Sequence, residues 1–247
     1  MLGLDLGLGL GASNRGFNPV ALFAGGEKGV ILLPENSGVG IGSGVGTVTD
    51  TSGNGKNATQ GTAGNKPILR QDATTGALYL EFDGTDDWLQ TAAVDFTGTD
   101  SATVFAAFRK VSDAARGIVT ELGVGNGRFT VEAPASTLNG ITFIATGTSG
   151  VAISSVVAAP VSRVFTGLMD ISLPYTEMRL NGASAGTSAV SQGAGNLANA
   201  AIYIGRRGGT SLPFNGYLYG LIIVGRICTA AEIAATETFL NRRIGAY

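Results

Sequence analysis

Four acidic side chains stand close together at Glu81, Asp83, Asp86 and Asp87, and Trp88 follows them directly. Residues two apart in a strand share a face, so Glu81 and Asp83 are expected side by side. Retaining glycoside hydrolysis uses such a pair, a nucleophile and an acid whose carboxyl groups lie roughly 5–5.5 Å apart. Asp86 completes the spacing Glu81-x-Asp83-x-x-Asp86. A second reading gives the same residues to a turn, because Asp83-Gly84 is a turn signal and Asp accepts hydrogen bonds from nearby backbone N–H groups. A third joins Asp83, Asp86 and Asp87 to Asp50 and Asn54 as oxygen ligands for Ca²⁺, which gathers a loose shell of about six to eight oxygens. No EF-hand spacing supports that third reading, and the residues alone favour the turn.

The single Trp, Trp88, is flanked by carboxylate acceptors. An indole so placed can stack on a sugar ring or fill a core. Arg206, Arg207, Gly208, Gly209 and Thr210 form a loop with two guanidinium groups, whose planar donor forks suit carboxylates, phosphates or local salt bridges. Tyr203, Tyr217 and Tyr219 alternate with apolar neighbours and offer a contact face or an edge of the core. The carbohydrate-binding candidates are therefore Trp88, Arg206, Arg207 and Tyr217. The chain has no His, which excludes Ser-His-Asp and Cys-His nucleophiles, His-ligated metals and His-based pH switches. Cys228 is the only Cys, so there is neither an internal disulfide nor a Cys-built zinc site. No cofactor is expected beyond the calcium reading.

Short alternating runs must position these residues. From Thr47 onward such runs recur between Gly, Asn and Asp turns. Leu78, Leu80 and Phe82 share one face, as do Val104, Ala106 and Phe108, and Phe129 and Val131. Asn181-Gly182 is a strong hairpin signal. Tyr217–Val224 is apolar on both faces and is expected at the centre of a sheet. Roughly a dozen strands of this kind predict an all-β fold, a two-sheet antiparallel jelly-roll sandwich. One helix is expected at the C-terminus. Thr229-x-x-Glu232 reads as a capping box, Ile233, Leu240 and Ile244 share a face, and Gly245 closes the helix.

Residues 1–46 read differently. Leu2, Leu4, Leu6, Leu8 and Leu10 alternate with Gly or Asp, and a second Gly-rich tract covers residues 37–46. Between them, residues 17–34 have room for a short helical turn and a strand. This segment is expected to be an N-terminal arm used in assembly, with 47–247 as the folded domain. A net charge of −2 and the absence of any run of more than two basic residues argue against a nucleic-acid partner. No uncharged stretch is apolar enough to cross a bilayer as a helix. The N-terminus lacks a basic n-region, so no signal peptide and an intracellular site of synthesis are expected.

Three segments together resemble a concanavalin A-like, laminin G-like jelly-roll domain. They are VTDTSGNGKNAT at residues 48–59, LYLEFDGTDDWLQT at 78–91, and the closing run from IYIGRRGGTSLPFNGYLYGLIIVGR into CTAAEIAATETFLNRR. MRLNGASAG at residues 178–186 resembles the hairpin that precedes that ending. Jelly-roll glucanases carry E-x-D-x-x-E on a strand, and this chain has Asp86 at the third position. The resemblance also implies that calcium can sit at one rim. A narrower similarity, through GFNPVALFAGGEKGV, KPILRQD and VFAAFRKVSDAA, is to laminin G-like proteins of tailed phages and prophages. ILLPENSGVGIGSG stands where those proteins continue with an aromatic and an Asp-Pro-Ser stretch. That similarity implies a non-enzymatic virion protein of a fibre, baseplate, collar or decoration layer. It would be a homo-oligomer that binds other virion proteins through the arm and contacts host-surface glycan. A separate carbohydrate-binding lectin and a glycoside hydrolase using Glu81 remain the alternatives.

Overall fold

Period-two patterning has its direct consequence in a computed structural model, which describes residues 16–135 and 139–247. Leu2, Leu4, Leu6, Leu8 and Leu10 lie outside the described residues. Two antiparallel sheets pack face to face. Sheet I runs in the order β15 (Ala183–Ser188), β14 (Tyr175–Leu180), β13 (Val161–Asp170), β8 (Ser101–Lys110), β18 (Asn215–Val224), β5 (Leu78–Asp83) and β4 (Ile68–Gln71). β1 (Gly29–Leu32) pairs with the second half of β18, beyond the reach of β5. Sheet II runs β12 (Gly150–Val156), β11 (Gly140–Thr146), β10 (Arg128–Glu132), β9 (Ile118–Leu122), β17 (Ile202–Ile204), β6 (Leu89–Thr91), β3 (Ala58–Thr59) and β2 (Thr47–Val48). β7 (Val94–Asp95) and β16 (Asn199–Ala200) form a small separate ribbon. This is the expected jelly-roll sandwich.

The two central strands of sheet I carry apolar side chains on both faces. From β18, Leu218, Leu221 and Ile223 enter the core between the sheets, while Tyr219, Ile222 and Val224 point to the other side. In β8, Val104, Ala106 and Phe108 face the inner core, and Phe105 and Ala107 face outward. The outer apolar surface is buried by α1 (Ala230–Ile244) through Ile233, Leu240 and Ile244. The expected capping box starts that helix: Thr229 Oγ1 accepts from Glu232 N at 3.3 Å, and Glu232 Oε2 accepts from Thr229 N at 2.7 Å. Gly245, at φ 59°, ends it. Asn181 and Gly182, at φ 52° and 79°, form the expected tight turn between β14 and β15.

The boundary expected at residue 46 does not divide the described chain. Leu22, Leu33 and every residue from Val30 to Leu32 are buried, and Val45 belongs to the inner core. The expected helical turn and strand within residues 17–34 are present, as a 3-10 turn at Pro19–Phe23 and as β1. The reason is the length of β18, which leaves unpaired backbone groups where β5 stops, and β1 supplies their partners. The fit there is close. A Cβ on Gly29 would meet Ile223 O at 1.8 Å, so only glycine allows the approach.

Candidate functional site

The carboxylates of the Glu81-x-Asp83-x-x-Asp86 pattern are divided between an ion pair and a turn. Glu81 lies between the inward-facing Leu80 and Phe82, points to the outer side of sheet I, and accepts from Arg70 Nε at 2.6 Å. Asp83 Oδ1 accepts from Thr85 N at 2.7 Å and Asp86 N at 3.3 Å. Asp87 is buried and its Oδ2 accepts from Asp83 N at 3.0 Å. The turn reading thus accounts for these contacts, and Glu81 stands with Arg70 rather than with a second catalytic carboxylate.

Asp83, Asp86 and Asp87 each bring one oxygen within 4.8 Å of the others. The wider calcium set does not converge with them. Asp50 is a buried hub whose carboxylate accepts from Ile31 N, Ser52 N and Lys56 N, each at 2.9 Å, which ties β1 to the following loop. Asn54 Nδ2 donates to the carbonyls of Glu27 and Gly29 in that same loop region. Both hold β1 and its adjoining loop, beside the half of β18 that pairs with β1, whereas Asp83 lies opposite Asn215 at the other end.

The carbohydrate candidates separate into two places. Tyr217 lies on the outer side of sheet I, stacked on Tyr79 with ring centroids 4.6 Å apart. Trp88, Arg206 and Arg207 come together on sheet II. Strand register lines up Thr59, Gln90, Tyr203, Glu121, Thr130 and Ile144 across that sheet. Directly opposed residues share a face, and Ile202, Ile204, Phe129 and Val131 on the alternate positions fill the core. The row therefore faces outward. Among the described residues no α-helix covers it, since α1 packs on sheet I.

Glu121 and Glu132 were not singled out by sequence, yet they organise this face. Glu121 is fully buried although it points away from the core. Its Oε2 accepts from Arg207 Nε at 3.2 Å and its Oε1 from Gly208 N at 2.9 Å. Glu132, also buried, pairs with Arg116 and lies 3.7 Å from Arg207 Nη2. Burial pushes the Glu121 carboxyl above its ordinary range, and the Arg207 guanidinium and the more distant Arg128 charge oppose that rise. The loop from Arg206 folds over the sheet and onto Trp88, whose ring also packs against Tyr203 with centroids 6.3 Å apart. A Cβ on Gly209 would come within 2.8 Å of the indole, and Gly209 has φ +69°, so glycine permits this closeness twice over. Trp88 is half-buried, neither free platform nor core. Concavities of about 260 to 440 Å³ lie elsewhere, beside α1 and at the sandwich rims. The sheet II face bears charge and aromatic rings.

An antiparallel jelly roll with one sheet face left open by its helix defines the class of the molecule. The family model described as the concanavalin A-like lectin/glucanases superfamily matches residues 83–234, and this chain belongs to that family. Among solved structures, the binding domain of botulinum neurotoxin DC in complex with SialylT superposes with a TM-score of 0.61 at 13% identity, covering 86% of this chain and 51% of that one. A botulinum neurotoxin type C structure, described by a cell entry dependent on two ganglioside molecules, gives 0.62 at 13% identity over 87% of this chain and 51% of its own. The botulinum neurotoxin serotype D binding domain gives 0.62 at 10%, with coverage of 86% and 52%. At these identities the likeness is one of fold, and the chain spans about half the length of those structures. No curated protein matches the sequence. No helix among the described residues is long and apolar enough to cross a membrane.

Asp87 gives a test of the turn geometry. Burial, with the Asp83 and Asp86 charges adding to it, pushes its carboxyl up to about 6, against the hydrogen bond from Asp83 N. The folded state then holds this proton to higher pH than the unfolded chain, so the group lowers stability as pH rises from about 4 to about 6. Asp87→Asn keeps an oxygen acceptor and removes the titration. Urea midpoints are expected to shift in favour of the variant across that window, and parallel wild-type and variant profiles would contradict the assignment.

Proposed function

We propose that this chain is a non-enzymatic carbohydrate-binding module that holds saccharide on the outer face of sheet II. The observation that carries the reading is the packing of Trp88 against Tyr203 and against the loop that bears Arg206 and Arg207, on the sheet face that no α-helix covers among the described residues. Aromatic rings supply apolar surface for the C–H face of a sugar, and the guanidinium groups supply fixed donors for its oxygens. Structures of the same fold described with SialylT and with gangliosides support a saccharide ligand. The Arg70–Glu81 pair supports a role without hydrolysis, because the would-be catalytic carboxylate already has a cation. The reading includes no cofactor. On a glycan array, Trp88→Ala should abolish binding that the wild-type chain shows, with melting reduced but still cooperative. Unchanged binding by the variant would move the site elsewhere, with the Tyr79–Tyr217 stack as the next place to look.

At the level of the particle, we propose that the module belongs to a tailed-phage virion, works as a homo-oligomer and docks on other virion proteins through Leu2–Leu10. The phage-like segments quoted above support this, as does an alternating Leu pattern suited to adding a strand to a neighbouring sheet edge. Deleting residues 1–15 should remove the protein from purified particles while its melting transition persists. Normal incorporation of the shortened chain would refute the docking role.

A further inference from the structure

We propose that the sheet II face selects saccharides bearing a carboxylate, and that Arg128 receives that carboxylate. The inference rests on the carbohydrate-binding reading and adds the chemical class of the sugar.

The face has donors without acceptors. Both oxygens of Glu121 are taken, by Arg207 Nε and Gly208 N, and Glu132 is held between Arg116 and Arg207. Three guanidinium groups, those of Arg116, Arg128 and Arg207, thus act on two carboxylates that are already engaged, and Arg206 adds a fourth cation on the loop that carries Arg207. The Arg128 side chain has no hydrogen bond or ion pair among the described residues, and its charge is the smallest of those that oppose the upward push of burial on the Glu121 carboxyl. Arg206 donates only from Nη2, to Thr210 O at 3.1 Å.

Buried polar atoms tell the same story. Among the described residues, Trp88 Nε1, Arg116 Nε, Arg128 Nε and Arg206 Nε are shielded from solvent without a partner. Beside them, Thr130 is fully buried and its Oγ1 is also unpartnered. Native structures pair nearly all such atoms, so a concentration of unmet N–H groups on one face marks where acceptors from outside are expected. All four nitrogens are donors. The missing partner must therefore bring acceptor oxygens, and three of the four donors belong to permanently charged groups.

A carboxylate matches the guanidinium fork in charge and planar geometry, and charge-assisted bonds of this kind are the strong ones. Tyr203 stands in the same row, directly opposite Glu121, and Trp88 packs against it, which suits a sugar ring rather than a bare anion. A nucleic acid fits less well, because the chain carries a net charge of −2 and lacks the extended basic surface that tracks a phosphate backbone.

The test is an array of matched pairs, each sialylated or uronate-bearing saccharide beside its desialylated or carboxyl-reduced counterpart. Wild-type protein should bind the acid-bearing members roughly tenfold or more tightly than their partners, the scale of one charge-assisted hydrogen bond. Arg128→Gln should erase that preference while the melting transition stays cooperative and falls only slightly, since Arg128 has no side-chain hydrogen bond or ion pair among the described residues and loses only its distant charge on Glu121. Arg128→Lys, which keeps the charge and loses the fork, should fall between them. Equal binding of both members of each pair would overturn the acid preference and leave carbohydrate binding standing. A preference retained in Arg128→Gln would overturn the role of Arg128. Binding to no saccharide at all would overturn the underlying reading and this inference with it, and equally tight binding of a duplex oligonucleotide would replace it with a general polyanion site.

Discussion

β8 and β18 are apolar on both faces, and the need to bury both sides of one sheet is the constraint from which the rest of the architecture follows. The inner side chains fill the space against sheet II, and the outer ones require a second cover. α1 and the Pro19–Phe23 turn provide it, which brings the two ends of the described chain onto the same side of the molecule. β1 completes the arrangement by occupying the half of β18 that β5 leaves open. With β1, the Pro19–Phe23 turn and α1 engaged on sheet I, the outer face of sheet II is, among the described residues, the sheet face that no α-helix covers.

That surface is built differently from a passive solvent face. A sheet open to water ordinarily presents exposed polar residues in alternation with the core. Here the central outward positions are closed over, and Glu121 and Glu132 lie beneath arginine side chains. Burying a carboxylate in this way is costly unless cations and N–H donors compensate for lost water. Arg116, Arg207 and the Gly208 amide make that compensation, and they also lock the loop after β17 in place. The loop in turn fixes the indole of Trp88. The charge network is therefore the scaffold of the surface, and the proposed ligand contacts fall to the half-buried arginines left over from it.

Local rules reached much of this from sequence. The Asn181-Gly182 turn, the Thr229–Glu232 capping box, the alternation in β5, β8 and β10 and the two-sided character of β18 depend on neighbours within a few residues. The acidic pattern after Leu80 was legible as a turn for the same reason, since Asp83 bonds to residues two and three ahead. Contacts spanning long stretches were not legible. Asp50 looked like a ligand because nothing local revealed that the Ile31 amide, 19 residues earlier, is its partner. Glu121 was an ordinary polar position in a short strand until Arg207, 86 residues later, was folded over it. The boundary at residue 46 followed glycine content, whereas the fold followed the pairing needs of β18. Trp88, Arg206 and Tyr217 stood apart in sequence; the loop after β17 folds onto the Trp88 indole over sheet II, while Tyr217 lies on sheet I.

The central claim is that ligand binds on the outer face of sheet II, and the most direct measurement is where bound saccharide perturbs the amide and indole resonances. The chain has one Trp, so Trp88 gives a single indole N–H signal in a ¹⁵N-labelled protein. On titration with an array-selected saccharide, that signal and the amides of Tyr203, Glu121, Arg128 and Gly208 should shift together. Shifts confined to Tyr79, Tyr217 and their neighbours on sheet I, with the Trp88 indole unmoved, would contradict it.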